Sequence, residues 1–229
     1  MRYPGGKGKI FQHIVNLLPP HTTYVESHLG GGAVLRHKRL STSNIAIDRD
    51  PAVIKFWRTN FPDLATYIEG DAVEFLSTYS FSRDDVLYCD PPYVPRTRRR
   101  ATVYRFDYEE ADHERLLKVL LRLPCHVLIS GYPSDLYQEH LATWNMHSFP
   151  AKTHNGIRLE TLWFNYAPPN RLHDARFLGK NFRERENIRR RLTRLQRRIS
   201  TLSVSEQQII FDWLEKRLMR GEQCQHSVM

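Results

Sequence analysis

The segment Asp90-Pro91-Pro92-Tyr93 carries the clearest chemistry in this sequence, and it directly follows an apolar run at residues 86–89. Its prolines fix the backbone and lack N–H groups, so the carbonyls and the Asp90 carboxylate present only hydrogen-bond acceptors, while Tyr93 offers an aromatic face. Acceptors beside a ring suit a planar amine. A rigid turn without catalytic purpose is the alternative.

A second candidate is the glycine-rich turn Gly30-Gly31-Gly32, which follows a short run ending at Glu26 and precedes a helical pattern. Glycines allow a ligand to approach the backbone closely. Asp48 closes the next β-branched run, where an acidic residue commonly bonds ribose hydroxyls. A purely structural turn remains the alternative for the glycine cluster.

Two weaker segments complete the set. The first is Tyr3-Pro4-Gly5-Gly6-Lys7 at the start of the chain, and the second is Glu69-Gly70-Asp71-Ala72. Each alone is compatible with an ordinary turn. Their value lies in their order relative to the other segments.

Seven short β-branched or aromatic runs predict the strands that would position these residues, and several are separated by helical patterns. Such alternation indicates an α/β fold with a largely parallel sheet. The predicted strands are residues 24–26, 44–47, 65–68, 86–89, 126–130, 144–149 and 161–166, and the predicted crossover helices are residues 8–18, 51–60 and 108–123.

In this order the four segments resemble the motifs of the Dam-like, D12 class DNA adenine-N6 methyltransferases, and the resemblance spans residues 2 to about 166. It implies a Rossmann-like seven-stranded fold, S-adenosylmethionine as methyl donor and a flipped adenine in duplex DNA as substrate. The resemblance assigns the catalytic segment to Asp90, Pro91, Pro92 and Tyr93. It assigns cofactor contacts to Tyr3, Gly6, Lys7, Glu26, Gly30, Gly31, Gly32, Asp48 and Asp71.

Longer members of that family insert a target-recognition domain before the Gly-Asp segment, and only residues 51–69 lie there in this chain. We therefore expect DNA contacts from the segment after Tyr93, from a late loop at residues 155–158 and from a basic helix. We expect the target sequence to be short or relaxed. The candidate residues are Arg96, Arg98, Arg99, Arg100, Tyr104, Arg105, Asn155, Arg158, Arg190, Arg194 and Arg197.

The composition changes after Tyr166, which predicts a catalytic domain over residues 1–169 and a basic helical extension over residues 170–229. Arginines surround an apolar stripe from Ile188 to Ile199, and a capping box at Ser203 and Glu206 begins a further helix, so a helical hairpin is expected. A solvated charged face is the alternative to DNA contact.

The formal net charge of +9 favours a polyanionic partner only modestly. The sequence predicts no membrane span, no metal site and no disulfide framework, so we expect a cytoplasmic, nucleoid-associated protein that is a monomer or a weak dimer. RNA adenine methylation and a catalytically silent nucleic-acid-binding protein remain alternatives.

Overall fold

The computed structural model describes residues 6–8, 10–97, 105–153 and 156–223. The residues in these ranges form seven strands, which make one sheet, and eight α-helices. The strands are β1 (Thr23–Glu26), β2 (Ser43–Asp48), β3 (Thr66–Glu69), β4 (Val86–Cys89), β5 (His126–Gly131), β6 (Asn145–Thr153) and β7 (Gly156–Phe164). The helices are α1 (Phe11–Val15), α2 (Ala33–His37), α3 (Pro51–Asn60), α4 (Ala72–Thr78), α5 (Glu110–Leu120), α6 (Asp135–His140), α7 (Phe182–Ser200) and α8 (Val204–Gln223).

The sheet has the strand order β3-β2-β1-β4-β5-β7-β6. The first five strands are parallel, and β7 runs antiparallel to both β5 and β6. The chain moves outward from β1 to β3 and then returns to place β4 on the other side of β1. Open α/β sheets bind ligands at such a reversal, beyond the carboxyl ends of the strands.

Alternating side chains of the central strands fill two cores, one on each face of the sheet. Tyr24 and Tyr88 belong to one core with Trp57 of α3, whereas Val25 and Leu87 belong to the other, which includes apolar residues of α5. A strand places successive side chains on opposite faces. The central strands are therefore fixed from both sides, and so are the loops at their ends.

Local signals explain where the crossover helix α3 begins. The Asp50 side chain accepts a hydrogen bond from Ala52 N at 2.9 Å, and Pro51 occupies the first helical position. A cap acceptor and a proline there both favour helix initiation. The observed bounds coincide with the predicted residues 51–60.

The last two strands form a hairpin that differs from the prediction. β6 continues to Thr153 and β7 begins at Gly156, so Gly156 and Arg158 lie in paired strand rather than in a loop. Asn155 lies outside the described residues. Long pairing of β6 with β7 extends both strands beyond the apolar runs that predicted them.

The chain divides into two compact units, Met1–Phe177 and Leu178–Met229. Residues after the predicted boundary at 169 still pack within the first unit. Asp174 is 3% exposed and accepts a hydrogen bond from Arg39 N at 2.8 Å, and a ring nitrogen of His173 lies 3.0 Å from Arg39 O. The first unit therefore extends eight residues past that boundary, to Phe177.

The second unit consists mainly of α7 and α8. The Asn181 side chain caps α7 through Glu184 N at 2.9 Å, and the predicted capping box is present, with Ser203 N donating to Glu206 at 2.8 Å. No described side chain of either helix is buried, so the apolar stripe that includes Leu192 and Leu195 is open. Across the described ranges, no helix has the length and apolar character that crossing a membrane requires.

Candidate active site

A cleft opens at the carboxyl ends of the central strands. Segments that follow β1, β2, β3 and β4 all contribute to its walls. Its lining brings together five predicted site residues: Gly30, Asp48, Asp71, Asp90 and Pro92. The remaining lining residues are Ser27, His28, Arg49, Ala72, Phe106 and Tyr108.

The glycine turn after β1 needs glycine at two positions. Gly30 and Gly32 have φ angles of 44° and 54°, and a Cβ on Gly32 would lie 2.3 Å from the Trp57 ring. Trp57 Nε1 also donates to Gly30 O at 3.0 Å. The turn is thus packed closely on α3, and Gly30 presents backbone to the cleft while Gly31 and Gly32 do not line it.

Asp48 and Asp71 supply acceptors to the cleft, and each also holds local structure. Asp48 accepts hydrogen bonds from Gly30 N at 2.7 Å and Asp50 N at 2.8 Å. Asp71 Oδ1 caps α4 by accepting from Val73 N and Glu74 N. Burial raises the pKa of the Asp48 carboxyl, although the amide donors oppose that shift. Each carboxylate oxygen has two acceptor positions, which leaves capacity for a ligand.

His28 forms part of the cleft wall as a neutral side chain. Burial lowers the pKa of its imidazole to about 3. One ring nitrogen lies 2.9 Å from Ser27 Oγ and the other 3.0 Å from Tyr108 Oη. His28 therefore adds no positive charge to a cleft whose lining includes three carboxylates and Arg49.

Glu26 is buried beside the cleft rather than in its lining. Its Oε2 accepts from Tyr24 Oη at 2.8 Å and from Leu35 N at 3.1 Å, which ties the end of β1 to α2. Burial raises the pKa of the Glu26 carboxyl to about 8, against the opposing hydrogen bond from Tyr24. The cofactor contact that the sequence predicts for Glu26 stays a prediction.

Asp90 lies at the end of β4, and two side chains hold it. Lys7 Nζ donates to Asp90 Oδ1 at 2.6 Å, and Ser130 Oγ donates to the same oxygen at 2.8 Å. Within the described ranges no hydrogen bond to Asp90 Oδ2 is formed. The carboxylate is thus fixed through one oxygen, and the other is left for a ligand.

Tyr93 is anchored by its hydroxyl group. The hydroxyl donates to Glu160 and accepts from Lys7 Nζ at 2.6 Å, while the ring meets Tyr132 edge-on with centroids 4.5 Å apart. Only 7% of Tyr93 is exposed. Little of the residue is accessible to a ligand, so the predicted stacking of a base on the Tyr93 ring stays a prediction.

Ser130 and Glu160 join this group, and the structure places Lys7 beside Asp90 and Tyr93, so the cofactor contact predicted for Lys7 stays a prediction. Glu160 is 4% exposed, and its Oε1 lies 3.5 Å from Lys7 Nζ. Gly6 is exposed, and neither Gly6 nor Lys7 lines the cleft. A lone glutamate beside the apolar run that ends β7 was the available sequence signal for Glu160.

Three of the predicted nucleic-acid contacts lie in the described part of the first unit and bind protein groups. Arg96 pairs with Glu110, and Arg105 lies 3.4 Å from Asp50. Arg158 donates to Thr97 O at 2.6 Å, and its guanidinium lies over the Tyr132 ring. These arginines could exchange such partners for phosphate, since Arg96 and Arg105 are more than half exposed.

The other predicted contacts divide into two groups. Exposed arginines of α7 lie in the second unit, and Arg190 has Glu186 within 3.9 Å; the three predicted there are Arg190, Arg194 and Arg197. The remaining predicted nucleic-acid contacts lie outside the described ranges and are Arg98, Arg99, Arg100, Tyr104 and Asn155, and so does Tyr3, which the sequence predicts as a cofactor contact.

Residues 47–154 match the model of the family described as D12 class N6 adenine-specific DNA methyltransferase. The matched stretch contains Asp48, Asp71 and the segment from Asp90 to Tyr93. It confirms the resemblance predicted from the sequence, over these residues. With the sheet order, the match also confirms the Rossmann-like fold of S-adenosylmethionine-dependent methyltransferases.

Solved structures with similar folds include a putative O-methyltransferase from Klebsiella pneumoniae, with a TM-score of 0.49, 15% identity and coverage of 72% of this chain and 82% of that chain. M. capricolum TrmK in complex with S-adenosyl-homocysteine has a TM-score of 0.47, 9% identity and coverage of 84% and 87%. The Escherichia coli putative methyltransferase yhhF has a TM-score of 0.45, 16% identity and coverage of 73% and 92%. No curated protein sequence matches the chain.

Proposed function

We propose that this chain, a Rossmann-like S-adenosylmethionine-dependent methyltransferase that carries the D12 domain match over residues 47–154, methylates the N6 amine of adenine in DNA. One observation carries the proposal. Asp90 is fixed through Oδ1 by Lys7 and Ser130 at the wall of the cleft, so its second oxygen can accept a hydrogen bond from a planar amine.

The cleft fits the cofactor chemically. Ribose hydroxyls and an adenine amine need acceptors, which Asp48 and Asp71 provide, and the backbone at Gly30 permits close approach. Bound S-adenosylmethionine carries a net positive charge at neutral pH. The lining contains three carboxylates and one arginine beside the neutral His28, so its charge is complementary.

The residues of the chain would promote transfer by orientation and by accepting hydrogen bonds. When bound, S-adenosylmethionine would supply a methyl group activated by the positive charge on sulfur, and the sulfur–methyl bond would break to leave neutral S-adenosylhomocysteine. Asp90 Oδ2 and the Pro91 carbonyl hold the protons of the amine while its nitrogen becomes tetrahedral and its lone pair forms the new N–C bond. The proton that the nitrogen then sheds passes to Asp90 Oδ2.

DNA is favoured as substrate by the D12 match and by the net charge of +9. Between Asp48 and Asp71 the chain forms only α3 and β3, so a separate recognition domain has no place there. Target contacts would fall to Arg96, Arg105 and Arg158, and a short or relaxed target sequence follows. Methylation confined to one sequence of about five or more bases would contradict that part of the proposal.

The test is mass spectrometry of nucleosides after incubation with S-adenosylmethionine and unmethylated duplex DNA, single-stranded RNA or duplex RNA. The protein would be compared with Asp90→Ala and with a matched control, Asp63→Ala, whose carboxylate is exposed. We expect N6-methyladenine in DNA from the unchanged protein and the control, and none from Asp90→Ala.

Other outcomes identify the alternatives. Product only on RNA would transfer the same chemistry to an RNA substrate, because the amine and its acceptors do not depend on the sugar. Calorimetric binding of S-adenosylmethionine without product on any nucleic acid would favour a silent binding protein. Either result would overturn the proposal of DNA methylation.

A further inference from the structure

Glu160 is a buried carboxylate beside the catalytic segment, and the proposed function gives it no role. It lies on β7, beyond the residues that match the D12 model, and it is 4% exposed. Its carboxylate accepts the hydroxyl of Tyr93 and lies 3.5 Å from Lys7 Nζ. Burying a carboxylate costs free energy unless hydrogen bonds and an opposite charge compensate, and here Tyr93 and Lys7 provide them.

The hydroxyl of Tyr93 connects Glu160 to the catalytic segment. It donates to Glu160 and accepts from Lys7 at 2.6 Å, so its single proton and an acceptor position are both used. An anchored hydroxyl, together with the edge-on contact of Tyr132, restricts rotation of the Tyr93 ring. Loss of Glu160 would leave the hydroxyl with a donor partner only.

Lys7 is shared between two carboxylates. Its Nζ lies 2.6 Å from Asp90 Oδ1 and 3.5 Å from Glu160 Oε1. With one ammonium and two carboxylates, the group carries a net charge of −1 when all three are ionised. Burial raises the pKa of the Glu160 carboxyl while Lys7 opposes that shift, so the lysine favours the ionised form.

We propose that Glu160 is a positioning residue for methyl transfer, acting through the Tyr93 hydroxyl and through Lys7 on Asp90. This inference rests on the proposed function. Glu160 accepts a hydrogen bond from the Tyr93 hydroxyl and so fixes the direction of that hydroxyl. It also shares the Lys7 ammonium, so the positive charge of Lys7 does not cancel the negative charge of Asp90 completely. The remaining negative charge lies where the amine nitrogen becomes positive during transfer, and electrostatic stabilisation of that kind is strong in a partly dehydrated site.

The test uses Glu160→Gln, which keeps a hydrogen-bond acceptor for Tyr93 and removes the charge. Glu139→Gln is the matched control, because Glu139 is exposed on α6. The single-turnover rate of methyl transfer to unmethylated duplex DNA is measured with protein in excess, together with the Kd for S-adenosylmethionine and for DNA. We expect E160Q to lose about 10- to 100-fold in rate with both Kd values within about 3-fold, and E139Q to match the unchanged protein.

A double-mutant cycle separates this role from a general loss of structure. Lys7→Gln leaves two buried carboxylates without their ammonium, and adding Glu160→Gln removes one of them and restores the net charge of −1. We expect the double variant to be no slower than K7Q alone, so the two losses are not additive. Additive losses, or an E160Q rate within about 3-fold of E139Q, would overturn the inference.

Two further results complete the design. If thermal unfolding shows that E160Q does not fold, Tyr93→Phe removes the same hydrogen bond from its other end, and a rate within about 3-fold of the unchanged protein would contradict the role of that bond. If the unchanged protein forms no product on DNA, the proposed function fails; with product on RNA, the same rates are compared on RNA, and with no product on either, this inference is overturned as well. An active protein with a normal E160Q rate instead rejects the inference alone.

Discussion

Lys7 Nζ donates to Asp90 Oδ1 at 2.6 Å across 83 residues of sequence. The Lys7 side chain is 5% exposed and that of Asp90 19%, so the pair is largely shielded from water. Lys7 precedes α1, where its carbonyl accepts from Ile10 N and Phe11 N at 2.9 and 2.8 Å. The start of the helix thereby fixes the lysine backbone, and the N-terminal segment becomes part of the catalytic group.

This relationship predicts how a Lys7→Gln variant behaves. The rate of methyl transfer should fall about 100-fold, because Asp90 loses a charged hydrogen-bond donor, while the Kd for S-adenosylmethionine should change by less than about 3-fold. Single-turnover kinetics and calorimetry measure the two quantities. Lys55→Gln, at an exposed position of α3, is the control. A Kd that weakens in step with the rate would return Lys7 to the cofactor contacts predicted from the sequence.

The glycine turn gives a stability prediction. In Gly32→Ala the new Cβ would lie 2.3 Å from the Trp57 ring, and the backbone would keep a φ of 54°. Strain and overpacking should lower the free energy of unfolding by about 2 to 4 kcal/mol. Chemical denaturation measures this change. Gly8→Ala is the control, because a Cβ there meets nothing within 4 Å; equal losses in both variants would contradict the explanation.

Most of the strands could be predicted because their apolar runs are short, β-branched and flanked by turns. The short helices α4 and α6 could not, since so few residues give little periodicity. The hairpin was also underestimated, because Gly156 and Arg158 are held in β7 by pairing with β6 rather than by local preference. Pairing between strands is a tertiary effect that a local pattern does not contain.

Asp90 and Asp48 could be selected from the sequence because each directly follows or ends an apolar run, and the structure brings both to the cleft, while their roles stay predictions. The contact of Glu160 with Tyr93 could not be predicted, since the two residues are 67 positions apart. The contact of Lys7 with Asp90 could not be predicted either, because the sequence gives the order of the segments and not the direction of a side chain. Contacts between distant segments depend on the strand order, which reverses between β1 and β4.

Glu26 predicts a pH dependence of stability. Burial raises the pKa of its carboxyl to about 8, above the ordinary range. Between about pH 5 and 8 the folded protein keeps a proton that the unfolded chain releases, so this residue lowers the free energy of unfolding as pH rises. As pH rises across that window, the free energy of unfolding of Glu26→Gln should increase relative to that of the unchanged protein by up to about 1.4 kcal/mol per pH unit.

Chemical denaturation at about pH 5.5 and about pH 7.5 measures the Glu26 effect. Glu139→Gln, at an exposed position of α6, serves as the control for replacing a carboxylate by an amide. A constant difference between Glu26→Gln and the unchanged protein at both pH values would contradict the raised pKa. The difference between two variants also removes contributions from other titrating groups.

The exposed arginines of α7 give the last prediction. If Arg190, Arg194 and Arg197 contact phosphates, their triple replacement by glutamine should reduce the slope of log Kd against log salt concentration by about 0.9 for each phosphate that is no longer neutralised, and by up to about 2.7 in total. Fluorescence anisotropy with duplex DNA over a range of salt concentrations measures the slope.

The control replaces Lys55, Arg83 and Arg122 by glutamine. These residues are exposed and do not line the cleft, and the control removes the same net charge. A larger effect of the α7 variant than of the control would assign the helix to the DNA interface. Equal slopes in the two triple variants would show that α7 acts only through net charge, and an unchanged slope would leave it as a solvated face.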